Sequence, residues 1–287
     1  MRNKKIILCP NPERDVGFTM TQKAAEIMKR HNRETVICPA FNDELVYVPK
    51  GMEISALEDE LSEAEMIITF GGDGTILKTA RSAAVLGVPI LGVNMGGVGF
   101  MADLETDDVD MIETAASGGY RIDRRMMLDI ELVRDEKIIY RDFALNDVVI
   151  SGTNKVIDLT LFGNGQKILH FAGDGTVVAT PTGSTAYSMA AGGPIVEPAA
   201  YNIIVTPICA HVLEAKPMVL APERKVSVEI GYKKSNPAYM SVDGGDTVAV
   251  QSGDIVNVQK SEKYTNFIRL SNRSFYTMVS EKLGEKI

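Results

Sequence analysis

The sequence predicts an α/β N-terminal domain with a mostly parallel sheet, followed by a β-rich C-terminal domain. Three observations lead there. The 287 residues suggest about two domains at roughly 150 residues each. Up to about residue 120, short β-branched runs alternate with stretches of helical periodicity, the pattern of a layered α/β fold. From Arg121 to about Val258 the chain breaks into short Val-, Ile- and Thr-rich segments separated by Gly, Asn and Asp, which read as successive strands.

Ile6-Ile7-Leu8-Cys9 is a compact apolar run stopped by Pro10-Asn11-Pro12, a strand followed by breakers. A helix is expected up to Arg30, capped by Thr19 or Thr21, with Ala24, Ala25, Ile27 and Met28 on its inner face. Residues 35–38 read as a second strand ended by Pro39. Residues 66–70 form a third, apolar on both faces as buried parallel strands tend to be, and lead into Gly71-Gly72-Asp73-Gly74-Thr75. From Thr75 to Leu86, Ile76, Leu77, Ala80, Ala83 and Ala84 recur at helical spacing. Residues 88–93 make a fourth strand, and 94–99 a glycine-rich turn.

In the second part, strands are expected at 128–133, 137–144, 148–151, 156–162, 167–172 and 176–179, with one helix-like stretch at 184–191. Residues 267–270 and a closing polar helix-like segment carry no local sign of which domain they join.

Composition excludes several classes. Apolar residues at 45% and charged residues at 24% are ordinary for a globular protein, so a disordered chain is ruled out. The net charge of −8 gives no field that attracts nucleic acid. Three cysteines (Cys9, Cys38, Cys209), none in a C-x-x-C pair, form no disulfide framework and fit a reducing compartment. The longest apolar run, 83–93, falls well short of the ~20 residues that span a bilayer. Behind Arg2, Lys4 and Lys5 the apolar stretch is too short for a signal-peptide core of ~7–15 residues. The expectation is a cytoplasmic protein with neither nucleic acid nor membrane as a partner. His31, His170 and His211 are too scattered for metal-ligand spacing, and no G-x-S-x-G occurs.

Three constellations carry chemistry. The Gly71–Thr75 segment joins a buried strand to a helix N-terminus, where glycines expose backbone N–H groups and the helix dipole favours an anion. It is not a Walker A loop, since no G-x-x-x-x-G-K-[ST] occurs. Asp73 in such a turn repels phosphate unless a divalent cation intervenes or its task is to accept a proton. Lys78, one turn on, is a candidate phosphate contact, against a solvent-facing lysine. The second constellation is Thr180-Pro181-Thr182-Gly183-Ser184-Thr185-Ala186-Tyr187, followed by Ser188 and Ala190. Thr182 or Ser184 can cap a short helix, hydroxyls can grip ribose or phosphate, and the Tyr187 ring can stack on a base. The third is Asn146-Asp147, whose side chains point to opposite faces on a regular strand. Two polar groups between apolar flanks need partners, and a ribose diol or base edge fits. Asp174 has about even odds of meeting ligand, and Asp243, in an Asp-Gly turn, rather less.

These segments, with Asn94-Met95-Gly96-Gly97-Val98-Gly99-Phe100, Arg125-Met126-Met127-Leu128 and Leu145-Asn146-Asp147-Val148-Val149, occur in the order seen in NAD kinases, a family this chain resembles from about residue 65 to 245. G-G-D-G-T alone is shared with diacylglycerol and sphingosine kinases, whereas the T-P-T-G-S-T-A-Y segment with the Asn-Asp pair is far more specific. The resemblance implies an α/β phosphate-donor domain at 1–122, with 263–287 returning to it, and a β-sandwich-like NAD-binding domain at 123–262. It implies transfer of the γ-phosphoryl of ATP (or polyphosphate) to the adenosine-ribose 2′-hydroxyl of NAD, with Mg²⁺, in a homodimer or homotetramer. Asp73 is then the proton acceptor, and Gly72, Gly74 and Thr75 hold phosphate. Asn146 and Asp147 grip adenosine. Asp174, Thr182, Thr185, Ala186 and Tyr187, with Ser188 and Ala190, line the rest of the dinucleotide site, and Phe100 closes the pocket. The chain departs from the family in having Asp147 where many members have Glu, Ala172 where an arginine often stands, and Gly245 where others carry Gln. A lipid kinase sharing the glycine loop is one rival, though no basic amphipathic helix marks a membrane-docking surface. A dinucleotide sensor without catalysis is another, against which Asp73 argues.

Overall fold

The computed structural model describes residues 4–41, 54–97, 99–153, 155–231 and 237–284, so Val98 of the glycine-rich turn and 285–287 lie outside the described residues. The chain divides into two compact units, Met1–Arg124 with Thr265–Ile287, and Arg125–Tyr264. The first holds β1 (Lys5–Pro10), α1 (Thr19–Arg30), β2 (Thr35–Ile37), α2 (Leu57–Glu60), β3 (Ala64–Gly71), α3 (Asp73–Leu86), β4 (Ile90–Asn94), β5 (Leu104–Glu105) and α4 (Ile112–Ala116). β6 (Arg121–Arg134) leads into the second unit. There follow β7 (Lys137–Ala144), β8 (Asp147–Gly152), β9 (Ile157–Gly163), β10 (Gln166–Gly173), β11 (Gly175–Ala179) and α5 (Tyr187–Ala190). Next come β12 (Ile203–Ile208), β13 (Met218–Leu220), β14 (Val226–Ile230), β15 (Ala238–Val242) and β16 (Thr247–Val250). β17 (Ile255–Arg269) returns the chain to the first unit, which ends in α6 (Phe275–Leu283).

In the first unit β4, β3, β1 and β2 lie side by side and parallel, with Phe267 at the end of β17 pairing parallel to Ile90 of β4. Their apolar runs are buried because helices need a sheet face on which to hide their own apolar stripes. Ile6, Leu8, Ile68, Phe70, Leu91, Val93 and Ile268 share one core with Phe18, Ile27 and Met28 of the α1 region. β1 lies between β2 and β3, so the strand order reverses at the β1–β3 junction. In open parallel sheets the crevice beyond the carboxyl ends at such a reversal is where ligands bind. Pro10-Asn11 and Gly71-Gly72 end those two strands, and Asn11 N donates to Phe70 O at 2.8 Å.

Two local expectations are corrected here. Neither Thr19 nor Thr21 caps α1; the buried carboxylate of Asp15 does, accepting from Met20 N, Thr21 N and Thr21 Oγ1 at 2.9, 2.9 and 2.6 Å. A left-handed Phe18 before Thr19 turns the chain so that an acid four residues upstream reaches the free N–H groups. The helix after β3 begins at Asp73, not Thr75, which places the acid in its first turn.

The second unit is two antiparallel arrays. One runs β13-β12-β11-β8-β15-β16, and the other contains β10-β9-β14-β17 together with the β6–β7 hairpin. Val148, Ile150, Val178, Val205 and Met240 of the first array share one core with Leu128, Leu159, Leu161, Val228 and Val256 of the second, the packing of a sandwich. The expected helix at 184–191 is broken into a 3-10 turn, Gly183–Thr185, and α5, because Ala186 is non-helical at φ −98°, ψ −131°. Thr182 and Ser184 do not cap it. Gly183 N donates instead to Thr180 Oγ1 at 3.0 Å, and the Ser184 hydroxyl donates to Pro181 O at 2.7 Å.

The C-terminal segment, whose own residues carry no local sign of its place, is stitched into the first unit by Asp103. Its carboxylate accepts from Leu270 N, Ser271 N and Ser271 Oγ at 2.8, 3.0 and 3.1 Å. The buried Arg269 donates to Met101 O at 2.8 Å and pairs with Asp123 at 3.1 Å. Asp103→Ala strands those N–H groups and removes a charge near Arg269, so it is expected to cost about 3 kcal/mol or more of stability. A urea midpoint within error of wild type would contradict this.

Candidate active site

The first cluster forms where β3 meets α3. Gly71 is required sterically, since a Cβ there would lie 2.3 Å from Thr75 Oγ1, whereas Gly72 and Gly74 face open space. The first N–H groups of α3 have no intrahelical acceptor, and they crowd partial positive charge beside those two glycines. Asp73 sits within this field. Its Oδ2 accepts from Phe100 N at 2.7 Å and its Oδ1 from Met101 N at 3.1 Å. A Cβ at Gly99 would lie 2.8 Å from Asp73 Oδ1, which explains a glycine there. Thr75 is buried and its hydroxyl accepts from Asn11 Nδ2 at 3.3 Å. The Lys78 ammonium rests 4.3 Å from the Phe41 ring centroid. At the end of β4, Asn94 donates to Gly97 O and Glu105 Oε2 at 3.2 and 2.7 Å, and its own buried Oδ1 has no partner among the described residues.

The second cluster is built on a bend at Leu145 and Asn146, between β7 and β8. Its carbonyls face the Thr180 turn: Leu145 O accepts from Thr180 Oγ1 at 2.6 Å, and Asn146 O from Thr180 N at 2.8 Å. A Cβ at Gly183 would come within 2.2 Å of Asn146 O, so the T-P-T-G segment packs backbone to backbone on the bend. The N–H groups face the other way, into the carboxylate of Asp243. Leu145 N, Asn146 N and Asp147 N donate to it at 2.8, 2.8 and 3.1 Å. Asn146 is buried, and among the described residues its Oδ1 has no partner, which marks it as an acceptor awaiting a donor. Asp147 is buried as well. Burial, and then the charge of Asp243, push its carboxyl up to about 7.

Around this bend the remaining candidates divide. Thr182 is buried, with its hydroxyl accepting from Arg125 Nη1 at 3.3 Å, and Thr185 Oγ1 donates to Thr182 O at 3.2 Å. Tyr187 is exposed, Ala186 is half-buried and Ala190 is open to solvent. Ser188 is fully buried, its hydroxyl bonded to Thr206 Oγ1 at 3.0 Å. Asp174 is exposed in the turn between β10 and β11, where its carboxylate meets the Cys209 thiol and pushes that thiol's pKa up. Sequence reasoning did not find the supporting roles of Asn11, Arg125, Thr180 and Asp243. Thr180 and Arg125 lay in segments already singled out, and Asp243 in an Asp-Gly pair, which turns use freely, but none of these signals names the partner.

Residues 7–118 match the family model of the ATP-NAD kinase N-terminal domain, and residues 145–270 that of the ATP-NAD kinase C-terminal domain. The chain belongs to the NAD kinase family. A NAD kinase of Ruminiclostridium cellulolyticum is 34% identical over 290 residues, 99% of each chain. One of Acetivibrio thermocellus is 35% identical over 286 residues, 98% of each. Among solved structures, yeast NADH kinase complexed with NADH is similar with a TM-score of 0.82 at 22% identity, over 99% of this chain and 89% of that one. A NAD kinase from Archaeoglobus fulgidus in complex with ATP gives 0.73 at 24% identity, over 97% of this chain and 98% of that one. At those identities the solved structures establish the NAD kinase fold.

Asp147 gives a stability test. Its folded value of about 7 lies above the roughly 3.9 of an unperturbed aspartate. The stabilisation linked to this raised value is complete below about pH 4 and is lost as the pH rises through 7. The ligand-free Asp147→Asn variant is therefore expected to gain stability relative to wild type between pH 5 and 8, read from urea midpoints. A difference independent of pH would contradict the shift.

Proposed function

We propose that this chain is a NAD kinase that transfers the γ-phosphoryl group of ATP to the adenosine-ribose 2′-hydroxyl of NAD, giving NADP and ADP. One observation carries the mechanism: a carboxylate, Asp73, fixed by two backbone N–H groups inside a helix N-terminus that otherwise favours anions. A residue that only held phosphate would be neutral or basic there. In the proposed step the ribose oxygen forms a bond to γ-phosphorus while the bond from γ-phosphorus to the β,γ-bridging oxygen breaks. The hydroxyl proton passes to Asp73. A carboxylate is a weak base for an alcohol, so Asp73 orients the nucleophile and takes the proton late, and positioning dominates.

Gly72 and Gly74, open to solvent beside the first N–H groups of α3, are the proposed phosphate contacts, with Thr75 holding the turn's shape through Asn11. Adenosine is assigned to the second cluster. The partnerless Oδ1 of Asn146 accepts from the base's amine, and Asp147 takes ribose hydroxyls. Tyr187 offers an exposed ring face for stacking, with Thr185, Ala186 and Asp174 beside the rest of the dinucleotide. Among the described residues no group of three or more His, Cys, Asp or Glu could hold a metal ion. In this proposal Mg²⁺ arrives with the nucleotide as MgATP, held by phosphate oxygens. Assembly as a homodimer or homotetramer in the cytoplasm belongs to the same proposal; the cysteines are free thiols, as a reducing compartment requires.

Incubation with NAD, ATP and Mg²⁺, followed by an NADP-specific dehydrogenase, reads the activity directly. Asp73→Asn is expected to lower kcat by about 100-fold or more while NAD binding, measured by titration, stays within about threefold. Full turnover in that variant, or none in wild type with any phosphoryl donor, would remove the reading.

A further inference from the structure

The bend at Leu145 and Asn146, with Asp147 opening β8 directly after it, is pinned from both sides. Its two carbonyls are taken by Thr180 and its three successive N–H groups by Asp243, which lies 96 to 98 residues further along the chain. Asp243 is held in turn. It occupies the left-handed region at φ +51°, uncommon for a residue with a Cβ, and its own N–H donates to Asp147 O at 2.9 Å. That bond continues the β8–β15 ladder one step past the Val148–Val242 pair. Strain of this kind persists where the surroundings over-determine it, and here three N–H groups converge on one carboxylate.

We propose that Asp243 is a positioning residue for the dinucleotide, acting through the backbone of Leu145, Asn146 and Asp147 and through its charge on the Asp147 carboxyl. It touches no substrate in this proposal. The inference rests on the assignment of adenosine to Asn146 and Asp147. A regular strand would send those two side chains to opposite faces; here Asn146 lies in a bend while Asp147 opens β8 opposite Ala179, and one acceptor holds the N–H groups of both. β11 contributes no charged group from its sequence GTVVA, and β15 contributes Tyr239, which pairs with Ser151. The Thr182 side of the turn brings the Arg125 guanidinium, and the β15–β16 turn brings Asp243 itself. The carboxylate of Asp243 is the charge that opposes ionisation of Asp147.

The test uses the full chain with NAD, ATP and Mg²⁺, comparing Asp243→Asn and Asp243→Glu with wild type between pH 6 and 9. For Asp243→Asn the KM for NAD is expected to rise tenfold or more, with kcat and the KM for ATP within about threefold. Its NAD-binding midpoint is expected at lower pH than that of wild type, because the opposing charge is gone. Asp243→Glu keeps the charge, so it should keep the wild-type midpoint while still weakening NAD, and it carries the test if the Asn variant does not fold. An unchanged KM for NAD, an equal loss in every kinetic constant, an unmoved midpoint in Asp243→Asn, or failure of both variants to fold would overturn the proposal. Asn146→Ala and Asp147→Asn run alongside. If they leave the KM for NAD unchanged, the adenosine assignment has failed; if they raise it and Asp243→Asn does not, only the role of Asp243 has failed.

Discussion

Carboxylates that gather backbone N–H groups from neighbouring turns and loops are the interaction on which both units depend. Asp15 takes the start of α1, Asp73 the turn at Phe100 and Met101, Asp103 the returning segment at Leu270 and Ser271, and Asp243 the bend at Leu145 to Asp147. The need arises because strand ends and glycine turns are irregular. Their N–H groups cannot join a ladder, and leaving them buried and unmet costs on the order of 1–3 kcal/mol each. One carboxylate accepts several such bonds, each strengthened by its charge. The bonds in turn replace the water that the charge has lost.

The arrangement resolves the conflict posed by an acid in an anion site. The N-terminus of α3 and the open faces of Gly72 and Gly74 favour phosphate, which Asp73 alone would repel. Two N–H donors on its oxygens spread that charge and hold the carboxylate away from free rotation. The glycine at 99 makes this approach possible, since any Cβ would occupy the space of Asp73 Oδ1. The acid is thereby tied to a second loop, and the glycine turn and the loop after β4 behave as one structural element.

The second cluster follows the same logic with the opposite electrostatic outcome. Asp243 spends its acceptor capacity on backbone, so the neighbouring Asp147 keeps its carboxyl for other partners while burial and the nearby charge oppose its ionisation. A site that keeps one buried acceptor unmet, as Asn146 Oδ1 is, holds part of its hydrogen-bonding capacity in reserve. Buried polar groups left in that condition favour a ligand that supplies the matching donor over one that lacks it.

The α/β first unit and the β-rich second one were legible because periodicity is local: apolar runs of strand length, helical spacing after Gly74, and turn residues at short intervals each follow from a few adjacent residues. Gly71 to Thr75 and the Thr180 to Tyr187 segment announced themselves in the same way. What local reading missed were contacts made across the chain. Thr19 and Thr21 looked like caps, yet Asp15 wins because a left-handed residue redirects the approach to α1. The segment after β17 shows no local sign of the unit it joins; it is the contacts of Asp103 and Arg269 that fix it to the first. The Asp-Gly of residues 243–244 read as an ordinary turn, and only folding brings its carboxylate to the three N–H groups of a bend about a hundred residues earlier. Sequence by itself determined which elements form and which chemical groups are on hand, since both depend on neighbours along the chain. Tertiary structure alone decided which carboxylate holds which loop, since hydrogen bonds between remote segments exist only after the two cores have closed.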